Sequence, residues 1–491
     1  MSERRVRTWG FFSALLMALG LAACTVGPDY ERPSAPEPTK YKELKGWKVA
    51  TPSDALDRGA WWSVFKDPKL DWLESQVDIS NQTVIGAEAA YRLAQAAVKE
   101  AQAGLFPTVN VSYSGTGTHN GSATSGSGGG ISSTVFTSNL SGNASWQLDI
   151  WGQIRRSIES NIAGAQVSAA DLANAKLSTQ SLLATAYFNL RAADSLKTLL
   201  DQTVVIFKRT LVITENQFKA GTASRADVAT AQAQVYNTQA SALSIQVSRA
   251  QFEHAIAALI GKPPAELTIP PTSLPFNPPT IPVSVPSTLL ERRPDIAAAE
   301  RQMQQENALI GVAIAAYYPA VTLSASYGFA GLGPLAISLA NEVWSAGVSA
   351  SQIVFDGGLR SAEVDAARAT YDQAVANYRQ TVLTAFQQVE DQLAAIRILA
   401  KEIRVEDQAV KAAQTEVDVF LNQYQAGTVA FTSVVVAQAT LLSDQETALT
   451  IRQDRFLAAV SLIEALGGGW EVKELPSSRE LEVANPLIPH F

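Results

Sequence analysis

AGTASRADVATAQAQVYNTQASALSIQVSRAQFEHAIAALIG, residues 220–261, and AGTVAFTSVVVAQATLLSDQETALTIRQDRFLAAVSLIEALG, residues 426–467, are two versions of one segment. An offset of 206 pairs Ala220-Gly221-Thr222 with Ala426-Gly427-Thr428 and Ala231-Gln232 with Ala437-Gln438. The same offset pairs Gln239 with Gln445, Leu243 with Leu449, Ile245 with Ile451, Arg249 with Arg455 and Gly261 with Gly467. So many matches at one spacing read as an internal duplication. A repeat of about 200 residues is far longer than a solenoid unit. It points to two copies of a whole supersecondary unit arranged with pseudo-symmetry.

Upstream of each matched segment lies a long helical pattern. From Gln153 to about Gln217 there is no proline and a single glycine. Ile158, Ile162, Ala165, Ala169, Leu172, Thr179, Leu183, Ala186 and Leu190 keep a spacing of three to four and form a coiled-coil seam of small residues. Such a helix spans roughly 95 Å. Gly221 ends it, and a second helix returns from about Ala223 to Ile260. The other copy repeats this from Leu359 to Tyr424, with a turn at Gly427 and a return from Val429 to Leu466.

Before each helical hairpin the period changes to two. Val109, Val111 and Tyr113 alternate with Thr108, Asn110, Ser112 and Ser114. After a Gly/Ser/Thr/Asn loop from His119 to Gly130, Phe136, Leu140, Ala144, Trp146, Leu148 and Ile150 share one face of a second strand. In the second copy Val321, Leu323, Ala325 and Tyr327 form one strand, and Trp344, Ala346, Val348 and Ala350 another. The loop between them, around Gly331 to Pro334, is shorter. The offset is 212 at Pro107/Pro319 and 205 at Gly152/Gly357, so the second copy lacks seven residues. An apolar face opposite a Ser/Thr/Asn face suits a lipid-facing strand. A soluble sandwich strand carries the same pattern.

Four strands cannot close a barrel, and an open sheet edge cannot face lipid because its NH and CO groups have no partner there. If these strands span a membrane, several chains must combine. Three chains give twelve strands, within the range of outer-membrane barrels. The fold class expected is therefore a mixed α and β membrane protein. As a trimeric 12-stranded β-barrel, four strands per chain, it would be continued by a long α-helical coiled-coil barrel, with an internal two-fold repeat.

The chain has 491 residues and a formal charge of −8. Removing residues 1–23 leaves −10, which argues against nucleic acid as a partner. Arg4, Arg5 and Arg7 precede an apolar stretch from Trp9 to Ala22 and then Leu21-Ala22-Ala23-Cys24, the pattern of a secretory signal. Cys24 is the single cysteine, so no intrachain disulfide forms. Leu-Ala-Ala-Cys resembles a bacterial lipobox, in which the cysteine is lipidated and becomes the first residue; Thr25 in place of Asp favours the outer membrane. An ordinary signal peptide with a chance cysteine is the alternative. The organisation expected is a signal peptide at 1–23, a lipidated extended arm at 24–66, repeat 1 at 67–261, a Pro-rich linker at 262–293, repeat 2 at 294–467 and a C-terminal tail at 468–491. One helix is expected from Asp67-Pro68 to about Leu105. The tail is expected to wrap the middle. Lys262 to Pro294 holds ten of the 22 prolines.

Over essentially its whole mature length the chain resembles outer-membrane factors of the TolC-like family, in their NodT-type lipoprotein branch. Cys24-Thr25-Val26-Gly27-Pro28-Asp29-Tyr30, Trp61-Trp62 and Leu289-Leu290-Glu291-Arg292-Arg293-Pro294-Asp295-Ile296 carry the resemblance. So do Ile310-Gly311-Val312-Ala313 leading to Tyr318-Pro319, Phe355-Asp356-Gly357-Gly358 and Leu466-Gly467-Gly468-Gly469-Trp470. It implies a homotrimer spanning the Gram-negative outer membrane, in contact with outer-membrane lipid, with a long periplasmic extension. It implies passive export of small molecules, such as drugs and toxic compounds, from a periplasmic adaptor and an inner-membrane RND-type pump. The turns Ala220-Gly221-Thr222 and Ala426-Gly427-Thr428 correspond to periplasmic tips where adaptors dock.

The resemblance further implies an entrance gate at Asp227, Tyr424, Val429, Ser433 and Val436, with Asp227 and Tyr424 interacting across neighbouring hairpins. Val429 stands where a basic residue is common, and Ser433 and Val436 stand where the family has constricting aspartates. The entrance expected is therefore a small polar and apolar constriction, less sensitive to cation block. Asp227 can equally be a first-turn helix charge. Arg292, Arg293 and Asp295 are expected to position the Pro-rich joint. No cofactor or metal is expected: His119, His254 and His490 are scattered, and no nucleophile motif or phosphate loop is present, so an enzyme is not expected. A type I protein secretion duct and a lipid-anchored periplasmic coiled-coil scaffold remain as alternatives.

Overall fold

The computed structural model describes residues 25–35, 38, 40–43, 60–120, 133–279, 281, 289–333 and 338–482. Cys24 and His490 lie outside the described residues. After a short 3-10 turn at Trp61–Phe65 come α1 (Pro68–Ser80) and α2 (Gln82–Ala103), then β1 (Thr108–Asn120) and β2 (Ser133–Leu148). The first hairpin is α3 (Gln153–Lys219) and α4 (Arg225–Leu259). The second half holds α5 (Pro294–Ala315), β3 (Ala320–Leu332), β4 (Glu342–Ser351), α6 (Leu359–Gln425) and α7 (Phe431–Ala465).

The two hairpins match in length: α3 and α6 have 67 residues each, α4 and α7 have 35 each. At 1.5 Å per residue the longer helices reach about 100 Å. Gly152 and Gly358 occupy the same position, each a left-handed residue directly before its long helix. Gly152 is thus equivalent to Gly358, at offset 206, and not to Gly357 as the sequence spacing suggested. The second copy is consequently six residues shorter, not seven, between Pro107/Pro319 and the long helix.

Three further expectations are corrected. The helix expected up to Leu105 is broken at Asn81, whose extended backbone ends α1 and whose side chain accepts from Thr83 N (2.8 Å) and Val84 N (3.1 Å) to start α2. His119 belongs to β1, not to a loop, and its Nδ1 lies 2.8 Å from Thr134 Oγ1. Gly331 and Leu332 likewise belong to β3. At Asp67-Pro68 the start is as expected, with the Asp67 carboxylate accepting from Lys69 N and Leu70 N.

The main core sits where α1, α3, α4, α6 and α7 meet at mid-height. Tyr187, Phe188, Leu190, Tyr378, Val382, Phe456 and Ile463 are almost fully buried there. Of the seam on α3, Ile158, Ile162, Ala165, Thr179, Leu183, Ala186 and Leu190 are buried. After α7 the chain packs back: Trp470, Val472 and Leu475 lie against Ala170, Ala297 and Ala298, and Leu481 joins Val98, Ile158 and Ile162. Among the described residues no helix is long and apolar enough to cross a membrane.

Candidate functional site: sheet, junction and hairpin tips

The four strands form one antiparallel sheet in the order β1-β2-β3-β4, leaving β1 and β4 as edges. Its substantial partners among the described elements are its own strands and the short turn Leu339–Asn341. The apolar face is bare: Val109, Val111, Tyr113, Phe136, Tyr327, Trp344 and Val348 are all exposed, Val111 by 75% and Trp344 by 73%. The opposite face carries hydroxyl pairs, Ser112 Oγ with Ser141 Oγ (3.1 Å) and Ser326 Oγ with Ser345 Oγ (2.8 Å). A soluble sandwich would bury the apolar face against a second layer.

Below the sheet the N-terminal arm is fastened. Val26 N donates to Trp151 O (3.2 Å), and Arg156 donates to Val26 O, Gly27 O and Asp29. A Cβ on Gly152 would meet Thr25 at 2.5 Å, so Thr25 sits directly on the strand-to-helix junction. The arm then runs along α6: Arg32 donates to Tyr378 Oη (2.9 Å), Lys42 N and Glu43 N donate to Glu390, and Arg397 pairs with Glu43.

At mid-height the linker is held by a buried ionic cluster. Asp194 accepts from Arg249 Nε (2.7 Å) and Thr272 N (3.0 Å), Arg191 donates to Pro270 O, and Arg249 donates to Ile269 O. Arg293 donates to Asp295, Gln388 and Ala465 O, tying the start of α5 to α6 and α7, the joint role expected for it. Asp295 also accepts from Ile296 N (2.9 Å).

At the far end the two turns share one geometry. Gly221 (φ +78°) and Gly427 (φ +72°) follow the helix ends, Thr222 N and Thr428 N donate back to Gln217 O and Gln423 O, and each Thr hydroxyl donates to the same carbonyl. This satisfies the last free carbonyls of α3 and α6. Ala220, Gly221, Thr222, Ala426, Gly427 and Thr428 are all exposed. Gln217 Nε2 donates to Tyr424 O (3.0 Å), and Gln438 Nε2 to Thr210 Oγ1 (3.0 Å), joining the hairpins within the chain.

The expected gate residues gather near these turns. Asp227 is taken up by a capping box: its carboxylate accepts from Ser224 N and Oγ (2.8 Å each), and Ser224 Oγ accepts from Asp227 N (3.1 Å). Tyr424 is buried, its ring lies tilted against Phe431 with centroids 5.2 Å apart, and its hydroxyl rests against Thr214 without a hydrogen bond of normal geometry. Within one chain no hydrogen bond joins Asp227 to Tyr424 among those described. The two are still within electrostatic reach: burial raises the Tyr424 phenol above its usual range, and the Asp227 charge adds to the rise. Val429 and Ser433 are half-buried and Val436 is exposed. The second hairpin has no such box, because Ala430 stands at the cap and Ser433 replaces the acid. The sequence reading missed this box as a unit, although Ser224-Arg225-Ala226-Asp227 is its signature.

Residues 73–262 and 285–468 match the family model described as outer membrane efflux protein. The chain is 30% identical over 473 residues to the pyoverdine export outer membrane protein OpmQ of Pseudomonas aeruginosa, covering 94% of this chain and 97% of the relative. It is 30% identical over 485 residues to nodulation protein T of Rhizobium leguminosarum bv. viciae, covering 95% of each. Among solved structures, the outer-membrane channel OprN superposes with a TM-score of 0.83 at 30% identity over 91% of this chain and 100% of that one. Proteins of this group are efflux channels, not enzymes. The chain belongs to the outer membrane efflux protein family.

Proposed function

We propose that the chain is the outer-membrane channel of a tripartite efflux system, built as a homotrimer. The observation that carries this is the four-stranded sheet whose apolar face is covered by nothing in the chain among the described residues. Lipid is the solvent that such a face fits, and lipid forbids its two open edges. Three copies close the edges into twelve strands, and the six hairpins continue the tube into the periplasm, the two halves of each chain acting as an internal two-fold repeat. The Ser/Thr/Asn face then lines the pore. Small molecules pass passively, delivered by an inner-membrane RND-type pump through a periplasmic adaptor seated on the tips at Gly221 and Gly427. The relative OpmQ is a pyoverdine export protein, which supports an export role for this chain.

Lipidation at Cys24 fits the same arrangement, because Thr25, the next residue, rests on Gly152 just below β2. An acyl chain on Cys24 would enter the leaflet at the barrel base. At the entrance, Asp227, Tyr424, Val429, Ser433 and Val436 form a constriction with a single acid per chain. Fractionation with planar-bilayer recording tests the proposal. The expected result is a heat-modifiable oligomer in the outer membrane that conducts; a soluble, non-conducting protein would overturn it.

A further inference from the structure

The contact between copies is written inside the chain. β2 belongs to the first half and β3 to the second, so the β2–β3 seam is already a junction between halves. We infer that β4 of one protomer pairs with β1 of the next in the register of the internal β2–β3 seam, placing Ser351 opposite Ser112 of the neighbouring copy. This rests on the closed-trimer reading above.

The register follows from three pairings. Thr108 and Ala320 each follow the proline that opens their strand, so they are equivalent. Thr108 pairs with Ser145 and Ala320 with Ser351, which makes Ser145 and Ser351 equivalent. Ser145 pairs with Ser324, whose equivalent in β1 is Ser112. Extending antiparallel from Ser351–Ser112 sets Ala350 against Tyr113, Ser349 against Ser114, Val348 against Gly115, Ser345 against Thr118 and Val354 against Val109.

Chemistry supports this alignment. Within β4, from Ser345 to Ser351, apolar side chains meet apolar ones or glycine on the lipid side, and hydroxyls meet hydroxyls at Ser351–Ser112, Ser349–Ser114 and Ser345–Thr118 on the lumen side. Past the end of β4 the pattern breaks at Gln352–Val111 and Ile353–Asn110, and a one-residue slip would set apolar against hydroxyl along the strand. It also accounts for Val354, 92% exposed just past the end of β4, by giving it Val109, 73% exposed, as a neighbour. The same operation works on the helices, whose offset is 206 throughout. Gln438 and Thr210, each 2% exposed and bonded at 3.0 Å, map onto Gln232 of the next copy and Glu416. Both of those are exposed in the single chain and able to form the matching amide-to-oxygen contact. The seam between copies thus carries an ionisable acid where the seam within the chain carries a hydroxyl.

Disulfide trapping in native membranes tests the register. Directly opposed strand residues lie about 5 Å apart at Cβ, and pairs displaced by two lie ~7–8 Å apart, too far for a disulfide. After mild oxidation, the double variant Ser112→Cys/Ser351→Cys should run as covalent dimers and trimers. Ser114→Cys/Ser351→Cys, on the same face but displaced by two, should give about a tenth of that or less. Each single variant controls for Cys24, the chain's single native cysteine. Trimers that cross-link through the displaced pair, or not at all, would overturn the register while leaving the trimer standing. Absence of any oligomer in the unoxidised variants and in the parent chain would instead sink the trimer and the register together.

Discussion

Removing the Asp194 carboxylate should loosen the linker far more than removing a similar acid two turns away on the same helix. Asp194 is 5% exposed and receives Arg249 Nε at 2.7 Å and Thr272 N at 3.0 Å, with Arg191 Nη1 at 3.4 Å. In Asp194→Ala, Arg191 keeps Tyr187 Oη and Pro270 O, and Arg249 keeps Glu253 and Ile269 O. The loss is therefore three charge-assisted hydrogen bonds, the one from Arg191 the longest at 3.4 Å, and not a bare buried pair. At roughly 1.5–3 kcal/mol each, and less than additive, the cost is about 3 kcal/mol. Asp201 makes the same kind of contact with Lys197 at 2.6 Å on the surface, with more than half of its side chain exposed. Asp201→Ala should cost about 0.5 kcal/mol or less. Thermal unfolding of the detergent-solubilised protein reads the difference, and chymotrypsin cleavage near Phe276, exposed in the linker, reads its local release. Equal melting and equal cleavage in the two variants would refute the claim that the buried cluster anchors the linker.

Glu74 is fully buried with no partner for either oxygen among the described residues, and burial, with Asp78 and Asp71 adding to it, raises its pKa well above 4.5. The folded state then holds a proton that the unfolded chain releases, so this contribution to stability is largest below the unfolded value and is lost as pH rises through the folded one. Melting temperature should fall with rising pH more steeply in the parent than in Glu74→Gln; parallel pH profiles would contradict this. Ser224→Ala removes the capping box and should cost about 1 kcal/mol in the first turn of α4, seen as faster amide exchange at Asp227 and Val228. Ala430→Ser with Ser433→Asp should slow exchange at the start of α7, and no slowing would count against the reading of the asymmetry. Gly221→Ala and Gly427→Ala should each cost about 1–2 kcal/mol through positive φ alone, since no atom lies within 4 Å of the added methyl; unchanged exchange at both tips would be the contrary result.

Local signals carried most of the fold. The proline-free stretches with a three-to-four seam became α3 and α6, and Ala-Gly-Thr became both tips, because helix period and glycine geometry are properties of neighbouring residues. The strands were legible by their period of two, whereas their solvent was not: only the uncovered apolar face separates a membrane strand from a sandwich strand. The break at Asn81 was hidden by helix-forming residues on both sides, although an asparagine cap was present. The anchoring of the linker was illegible for a different reason. Thr272 lies 78 residues from Asp194, and the arm's Glu43 lies 354 from Arg397, so no local pattern records either contact. At the tips, Ser224 holds the carboxylate of Asp227, three residues away, a contact that its local sequence carries.

The central claim is that three chains of four strands each close one barrel. Native mass spectrometry of the protein extracted from outer membranes measures this directly. The account predicts one dominant species of three chains; a monomer, a dimer or a tetramer as the sole membrane-embedded form would contradict it.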